Sequence, residues 1–241
     1  MIYLDKGRYD VQQAKTQSDL DAAQVLRAQC FGRPHTNDID AYDTAATHML
    51  VHDVASGTLV CCFRISLLTG ERLTQSYSAQ FYELSALSAC KGPMMELGRF
   101  CVHPDWHDPD ILRVAWAAMT AAVDKVGVQM IFGCASFAGV ETEQYLDAFA
   151  MLKARYLAPK RWLPQVKSPD VFRFAAKLRR KPDAKKGMLR MPPLLRSYLM
   201  MGGRVSDHAV VDRQMGTLHV FTGLEIGAIP VERKRLLRAL V

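Results

Sequence analysis

The chain has 241 residues, 49% of them apolar and 23% charged. That is ordinary globular composition, so wholesale disorder is excluded, and no apolar run reaches the roughly 18–20 residues of a membrane-spanning helix. The formal net charge of +7 hides an asymmetry: residues 1–152 hold 11 basic and 18 acidic residues, 153–204 hold 15 and 2, and 205–241 hold 5 and 4. The strongly basic stretch calls for an anionic partner: nucleic acid, an acidic protein or anionic lipid. The first residues lack the apolar region of a signal peptide. This predicts a cytosolic protein, or one resting on the inner face of a membrane. Cys30, Cys61, Cys62, Cys90, Cys101 and Cys134 form no C-x-x-C pair and have no zinc-type spacing with histidine, so they read as buried, reduced thiols.

In chain order, Arg8 to Ala14 reads as a strand. A helix follows, capped by Ser18 with Asp21 in the capping-box position, and ends near Gly32. The acidic stretch Asn37 to Asp43 reads as a loop. His48–Val54 and Thr58–Leu68 form a hairpin around Gly57, and residues 70–90 are a loop or short helix. Met94–Val102 is a strand stopped by His103-Pro104. A helix over Ile111–Val126 ends at Gly127, then come a buried strand over Val128–Ala135 and a helix over Glu141–Arg155. Past Pro159 the texture turns basic. Pro192-Pro193 opens a helix that stops at Gly202-Gly203, strands follow near Val205–Val211 and Leu218–Leu224, and the tail from Val231 has helical spacing. Hairpins early and crossovers late predict an α/β fold whose mixed central sheet has helices on both faces. We expect a single domain over 1–241: a core at 8–155, a basic insertion at 156–191, a helix and strands at 192–224 completing the sheet, and a tail at 225–241.

The element order resembles the GNAT acyltransferase fold. Met94-Met95-Glu96-Leu97-Gly98-Arg99-Phe100-Cys101-Val102-His103-Pro104 and Ile131-Phe132-Gly133-Cys134-Ala135-Ser136-Phe137 are similar to two strands of the ornithine N-acyltransferases of ornithine-lipid synthesis. Pro192-Pro193-Leu194-Leu195, Tyr198-Leu199 and Gly202, followed by Asp212, are similar to that family's C-terminal signature. Arg27, Phe31, Asp40, Asp43, Arg64, Glu96 and Arg99 also resemble, in order, the pattern of the related acyl-homoserine-lactone synthases. Those enzymes usually carry a tryptophan in the segment matching Gly32–Asp38, and this chain does not. Phe100 departs from the small polar residue usual in the ornithine enzymes.

The resemblance implies transfer of a (3-hydroxy)acyl group from a carrier-protein thioester to the α-amine of ornithine, giving a lyso-ornithine lipid. It casts Glu96 and Arg99 as catalytic and Arg27, Phe31, Asp40, Asp43 and Arg64 as substrate-binding. An apolar strand makes a carboxylate a stronger base than it is in water, which suits Glu96 to take a proton from the amine. An ion pair between Glu96 and Arg99 is the structural alternative. Arginine matches a substrate carboxylate bidentately, while Asp38, Asp40 and Asp43 suit a side-chain ammonium. Gly98 suits an irregularity in the central strand.

Coenzyme-A-dependent members of the fold cradle a pyrophosphate in a glycine loop before a helix. Here His103 to Asp110 has no glycine and three aspartates. This points to an acyl carrier protein, which presents only acyl-phosphopantetheine, with no resident cofactor. His103 and His107 flank prolines and do not suggest metal. Arg179, Arg180 and Lys181 are expected on a surface for carrier protein or membrane lipid. A lactone synthase is the alternative enzyme. A non-catalytic protein binding nucleic acid or anionic membrane, with Trp162, Phe172 and Phe174 among the cations, is the alternative class, and it leaves Glu96 and Arg99 without a role.

Overall fold

The computed structural model describes residues 3–33 and 36–239. In chain order the elements are β1 (Tyr3–Lys6), β2 (Tyr9–Gln13), α1 (Gln17–Cys30), β3 (Thr47–Asp53), β4 (Leu59–Leu68), β5 (Tyr82–Glu83), β6 (Met94–Val102), α2 (Pro109–Val126), β7 (Met130–Ala138), α3 (Leu146–Arg155), β8 (Gln165–Val166), β9 (Val171–Phe172), α4 (Phe174–Lys177), α5 (Ala184–Arg190), α6 (Pro193–Met200), β10 (Arg204–Asp212), β11 (Thr217–Glu225) and α7 (Val231–Arg238). They fall into two compact units. The first comprises residues 1–67, 95–128 and 231–241, the second 68–94 and 129–230. Among the described residues no helix is long and apolar enough to cross a membrane.

In the first unit the strands run in the order β1-β2-β3-β4-β6, and β1 through β4 are an antiparallel meander. Strand alternation turns Leu50 and Cys62 toward α1, where they pack with Ala23, Leu26 and Cys101. Val11, Val51 and Cys61, one register position away, are buried on the other face. Helix α2 packs along β1 and β2. It ends where predicted, on Gly127, whose φ of 72° is the left-handed C-cap that glycine adopts without strain. Helix α1 is capped two residues earlier than expected. Thr16 accepts from the Asp19 N–H (3.1 Å) and the Asp19 carboxylate accepts from the Thr16 N–H (3.0 Å), closing a capping box upstream of Ser18 and Asp21. Strand β1 lies ahead of the first predicted strand.

The second unit is built on the antiparallel order β7-β11-β10-β9, with a separate β5-β8 ribbon. One face of this sheet is covered by α3, α4 and α6, with Phe149, Phe174, Leu195 and Leu199 packed on Phe137, Val205, Leu218 and Val220. The other face gathers Tyr82, Phe132, Trp162 and Phe221 around residues 68–94. Phe174 stacks on Phe149 at 5.2 Å and Phe172 meets the same ring at 5.5 Å. The aromatics interspersed with cations are therefore core residues, not a base-stacking surface, because the sheet face needs them more than solvent does. Asp212 accepts from the Met215 N–H at 3.0 Å and holds the β10–β11 turn. The helix expected over Glu141–Arg155 begins as a 3-10 turn at Glu143–Tyr145 and becomes α-helical only at Leu146.

One close approach is sequence-coded. At Gly223 a Cβ would stand 2.8 Å from Cη2 and 2.9 Å from Cζ3 of the buried Trp162 indole. Gly223→Ala is therefore expected to overpack the second unit and cost about 1–3 kcal/mol. Chemical denaturation measures it, and an unchanged midpoint would contradict the packing.

Candidate active site

Arg27 is on the last turn of α1, Arg64 on β4 and Arg99 on β6, while Asp38, Asp40 and Asp43 lie in the turn-rich loop after α1. All belong to the first unit. Three arginines at the ends of apolar elements cannot be buried singly, because a buried charge needs paired, hydrogen-bonded partners. The loop supplies them. Arg27 Nε meets Asp38 and its Nη1 meets Asp43, both at 2.8 Å. Arg64 Nη1 meets Asp43 at 2.7 Å and Asp40 at 2.5 Å. Arg99 Nη2 meets Asp40 at 2.9 Å and its Nε returns to Asp38 at 2.8 Å. The result is a closed, charge-neutral ring of three arginines and three aspartates in strict alternation. Arg33 joins it from outside, on the second Asp38 oxygen at 2.9 Å.

The ring organises its surroundings. Tyr42 N–H donates to Asp40 and Asp40 N–H to Asp43, so the carboxylates also fold their own loop. His48 Nε2 donates to the Asp43 carbonyl at 2.9 Å. Burial and the Arg27 and Arg64 charges hold the His48 imidazole below its usual range, outweighing the pull of Asp43. Burial alone would raise the Asp38 and Asp43 carboxyls. The arginines prevail, Arg99 and Arg27 at Asp38 and Arg27 and Arg64 at Asp43, and both carboxyls lie below the ordinary range. The Arg27 guanidinium, 1% exposed, has its affinity for the proton raised, since Asp43 and Asp38 outweigh desolvation.

Arg99 is the only described non-glycine residue with positive φ, at 50°. A left-handed residue with a side chain costs about 1–3 kcal/mol, and here the guanidinium is anchored at both Asp38 and Asp40. The irregularity assigned by sequence to Gly98 thus falls on the next residue. Gly98 has a different function: a Cβ there would lie 3.2 Å from Arg64 Nε, so its absence lets Arg64 cross the strand to reach the loop. The guanidinium of Arg99 stands 5.6 Å over the Phe31 ring, and that of Arg64 5.6 Å over Tyr42. Phe100 stacks on Phe63 at 5.4 Å.

Glu96 is 4% exposed, between buried Met95 and Leu97. It is close enough to Tyr42 that, after burial, its charge and that of Asp40 push the phenol up, with Arg64 opposing. The seven residues singled out by sequence therefore share one unit, and Arg33, Tyr42 and His48 join them unannounced. Tyr42 could have been noticed, since it sits inside the Asp40–Asp43 interval. The arginines that sequence offered to a substrate carboxylate are engaged by the aspartates offered to its ammonium. Arg179, Arg180 and Lys181 lie in the second unit, exposed on the linker between α4 and α5.

At the start of α2 the Asp108 side chain accepts from the Asp110 N–H at 2.9 Å, and Pro109 takes the first helical position. Tyr9 Oη donates to Asp108 at 2.8 Å, and Arg8 reaches it at 3.4 Å. The Asp110 N–H and the Tyr9 hydroxyl hold the Asp108 carboxyl below its ordinary range, while burial and this bond push the Tyr9 phenol up to about 12. A permanent anion occupies this helix start.

The ring sets an acid limit. A carboxyl whose folded-state pKa is depressed stabilises the protein above its unfolded value of about 3.9 and loses that contribution as pH falls through the folded value. Asp43→Asn strands two arginines, so it should cost about 3–5 kcal/mol near neutrality. The gap to wild type should narrow below about pH 4. Urea denaturation across that range measures it, and a gap independent of pH would contradict the ring.

A family model described as an acetyltransferase (GNAT) domain matches residues 23–117. The L-ornithine N(alpha)-acyltransferase of Rhizobium meliloti (strain 1021) is 31% identical over 239 residues, covering 90% of this chain and 79% of that protein. Its counterpart from Brucella abortus (strain 2308) is 28% identical, with 94% and 86% covered. Among solved structures, FeeM, an N-acyl amino acid synthase from uncultured soil microbes, superposes with a TM-score of 0.55 at 9% identity, covering 92% of this chain and 94% of that one. The loading GNATL domain of CurA from Lyngbya majuscula gives 0.51 at 12% identity, covering 91% and 98%. These likenesses establish a GNAT-type α/β fold with a mixed sheet. By identity and coverage together, the chain belongs to the L-ornithine N(alpha)-acyltransferase family of GNAT-fold acyltransferases.

Proposed function

We propose that the protein transfers a (3-hydroxy)acyl group from acyl carrier protein to the α-amine of L-ornithine, in the cytoplasm. The observation that carries this is the neutral arginine–aspartate ring beside buried Glu96. Asp38 and Asp43 are buried under two or more guanidinium groups each, whereas the Asp40 side chain keeps 19% of its surface open. Asp40, the most open of the three carboxylates, is the one to add a side-chain ammonium to its two arginines, and Arg27 Nη2, a buried donor with no hydrogen-bond acceptor among the described residues, suits the substrate carboxylate.

Glu96 takes the proton from the α-ammonium. The amine nitrogen then attacks the thioester carbonyl, preorganised backbone N–H donors steady the oxyanion, and the C–S bond breaks as the amide forms, the thiolate leaving with the proton that the nitrogen sheds. The choice of nitrogen follows from proton affinity. An α-amine has a reference pKa near 8 and a lysine-like amine about 10.4, so deprotonating the α-amine is cheaper by about 3.3 kcal/mol. An ammonium held by Asp40 stays charged and unreactive.

The start of α2 supports the choice of donor. The N-terminal N–H groups of a helix favour a phosphate, but here Asp108 already takes one and places its charge where a pyrophosphate would sit. A carrier protein, which presents pantetheine on a single phosphate, avoids that conflict. No separate cofactor is needed.

Glu96→Gln should lower turnover about 10²–10⁴-fold with the denaturation midpoint retained, and near-normal turnover would remove the base assignment. Norvaline, which lacks the side-chain ammonium, should lose about 10–100-fold in kcat/KM against ornithine, the value of one charge-assisted hydrogen bond. Equal use of both would exclude Asp40 as its partner. Acyl-coenzyme A should be a poor donor beside acyl carrier protein, and efficient turnover with it would contradict the role given to Asp108.

A further inference from the structure

The bond-making steps of acyl transfer give no role to the most basic stretch of the chain. Residues 177–190 hold seven basic side chains and one acidic one. The apolar companions suggested by sequence are not available to a partner: Phe174 is buried, and Phe172 and Leu178 pack against the second unit's core. The apolar side chains that reach solvent are Met188 and Leu189, the latter 77% exposed.

This stretch is built onto α3. Lys153 Nζ donates to the Leu178 carbonyl at 2.6 Å. Asp147 accepts from Arg180 Nη2 at 2.7 Å and from the Asp183 N–H at 3.1 Å. Asp183 in turn caps α5 by accepting from the Lys186 N–H at 3.1 Å. Gly187, the buried residue of α5, lies so close to α3 that a Cβ would stand 2.6 Å from Met151 Cε and 3.0 Å from the Asp147 carbonyl oxygen. Helical spacing turns Lys185 and Leu189 away from that contact and sets Lys186 and Met188 to either side of it. The outward face therefore carries two apolar side chains among cations whose backbone is already fixed.

We propose that α5 and the linker before it dock on an anionic lipid surface. Met188 and Leu189 enter the headgroup region, and Lys177, Arg179, Lys181, Lys185, Lys186 and Arg190 face lipid phosphates. The charges alone would suit any polyanion. An exposed leucine among them has nothing to gain from a nucleic acid, but it leaves water when the helix lies in a bilayer interface. A helix this short gives reversible, salt-sensitive association. The proposal stands apart from the transfer chemistry, and its test needs no turnover.

The full chain is sedimented with vesicles of phosphatidylcholine alone, and with vesicles holding one phosphatidylglycerol for every two phosphatidylcholines. It should partition onto the second kind only, and release as salt shortens the screening length toward about 3 Å near 1 M. Lys185→Glu with Lys186→Glu should lower the partition coefficient about 25-fold or more, at about fivefold per cation. Met188→Ser with Leu189→Ser changes no charge and should lower it about tenfold or more, with an unchanged circular dichroism spectrum. Absence of binding to the anionic vesicles at low salt overturns the proposal. So does a serine variant that sediments like wild type. In that event a raised KM for acyl carrier protein, or a gel shift with RNA, in the glutamate variant assigns the charges to that partner instead.

Discussion

The closed ring of Arg27, Asp43, Arg64, Asp40, Arg99 and Asp38 is the constraint on which the rest of the first unit depends. It ties the end of α1, the following loop and the strands β4 and β6 into one body, using charges that none of these elements could bury alone. Desolvating six charges is costly, and a well-packed apolar cluster would stabilise a fold at least as well. What the ring provides is geometry. It fixes a loop that has no regular secondary structure, holds Arg99 at φ 50°, and lays guanidinium planes over Phe31 and Tyr42. Each member is positioned by the others, with no call on a substrate to set its place.

Most of the fold was legible because apolar alternation and glycine or proline punctuation agree with the tertiary structure. Strands β3 and β4 around Gly57, helix α2 stopping at Gly127, and helix α6 opening at Pro193 are of this kind. The misplaced cap of α1 shows the limit. Thr16 with Asp19 and Ser18 with Asp21 have the same three-residue spacing, so the local code is degenerate, and burial of Ala23, Leu26 and Arg27 goes with the earlier start. Helix α5 escaped notice for a different reason. Its inner face is a glycine, and its large apolar side chains, Met188 and Leu189, are exposed among cations, which leaves no buried apolar periodicity to read. In the site, resemblance supplied seven positions but not their pairing. That arginines satisfy aspartates of the same chain is a fact of three-dimensional closure, which no spacing encodes, and so Arg33 and His48 stayed hidden.

The beginning of α2 shows how a local capping choice bears on chemistry. A helix offers four unpaired N–H groups at its start, and a phosphate-binding fold leaves them open behind glycines. Here proline removes one donor and Asp108 takes another, with Tyr9 and Arg8 holding that carboxylate in place. The arrangement stabilises the helix and makes the site unsuited to a second negative charge.

The two concentrations of charge in this chain obey different physics. The ring is largely buried, and each charge in it lies within 3 Å of an opposite one, so screening weakens it little. The cations of residues 177–190 are exposed and outnumber their acids, so their effect extends only about a Debye length, roughly 8 Å at physiological salt. Raising ionic strength should therefore weaken whatever the exposed cations attract while leaving the ring in place. Salt thus separates the two. If the reaction on soluble substrates persists where surface association has been lost, the exposed charges serve delivery and location, and the buried ones hold the geometry of transfer.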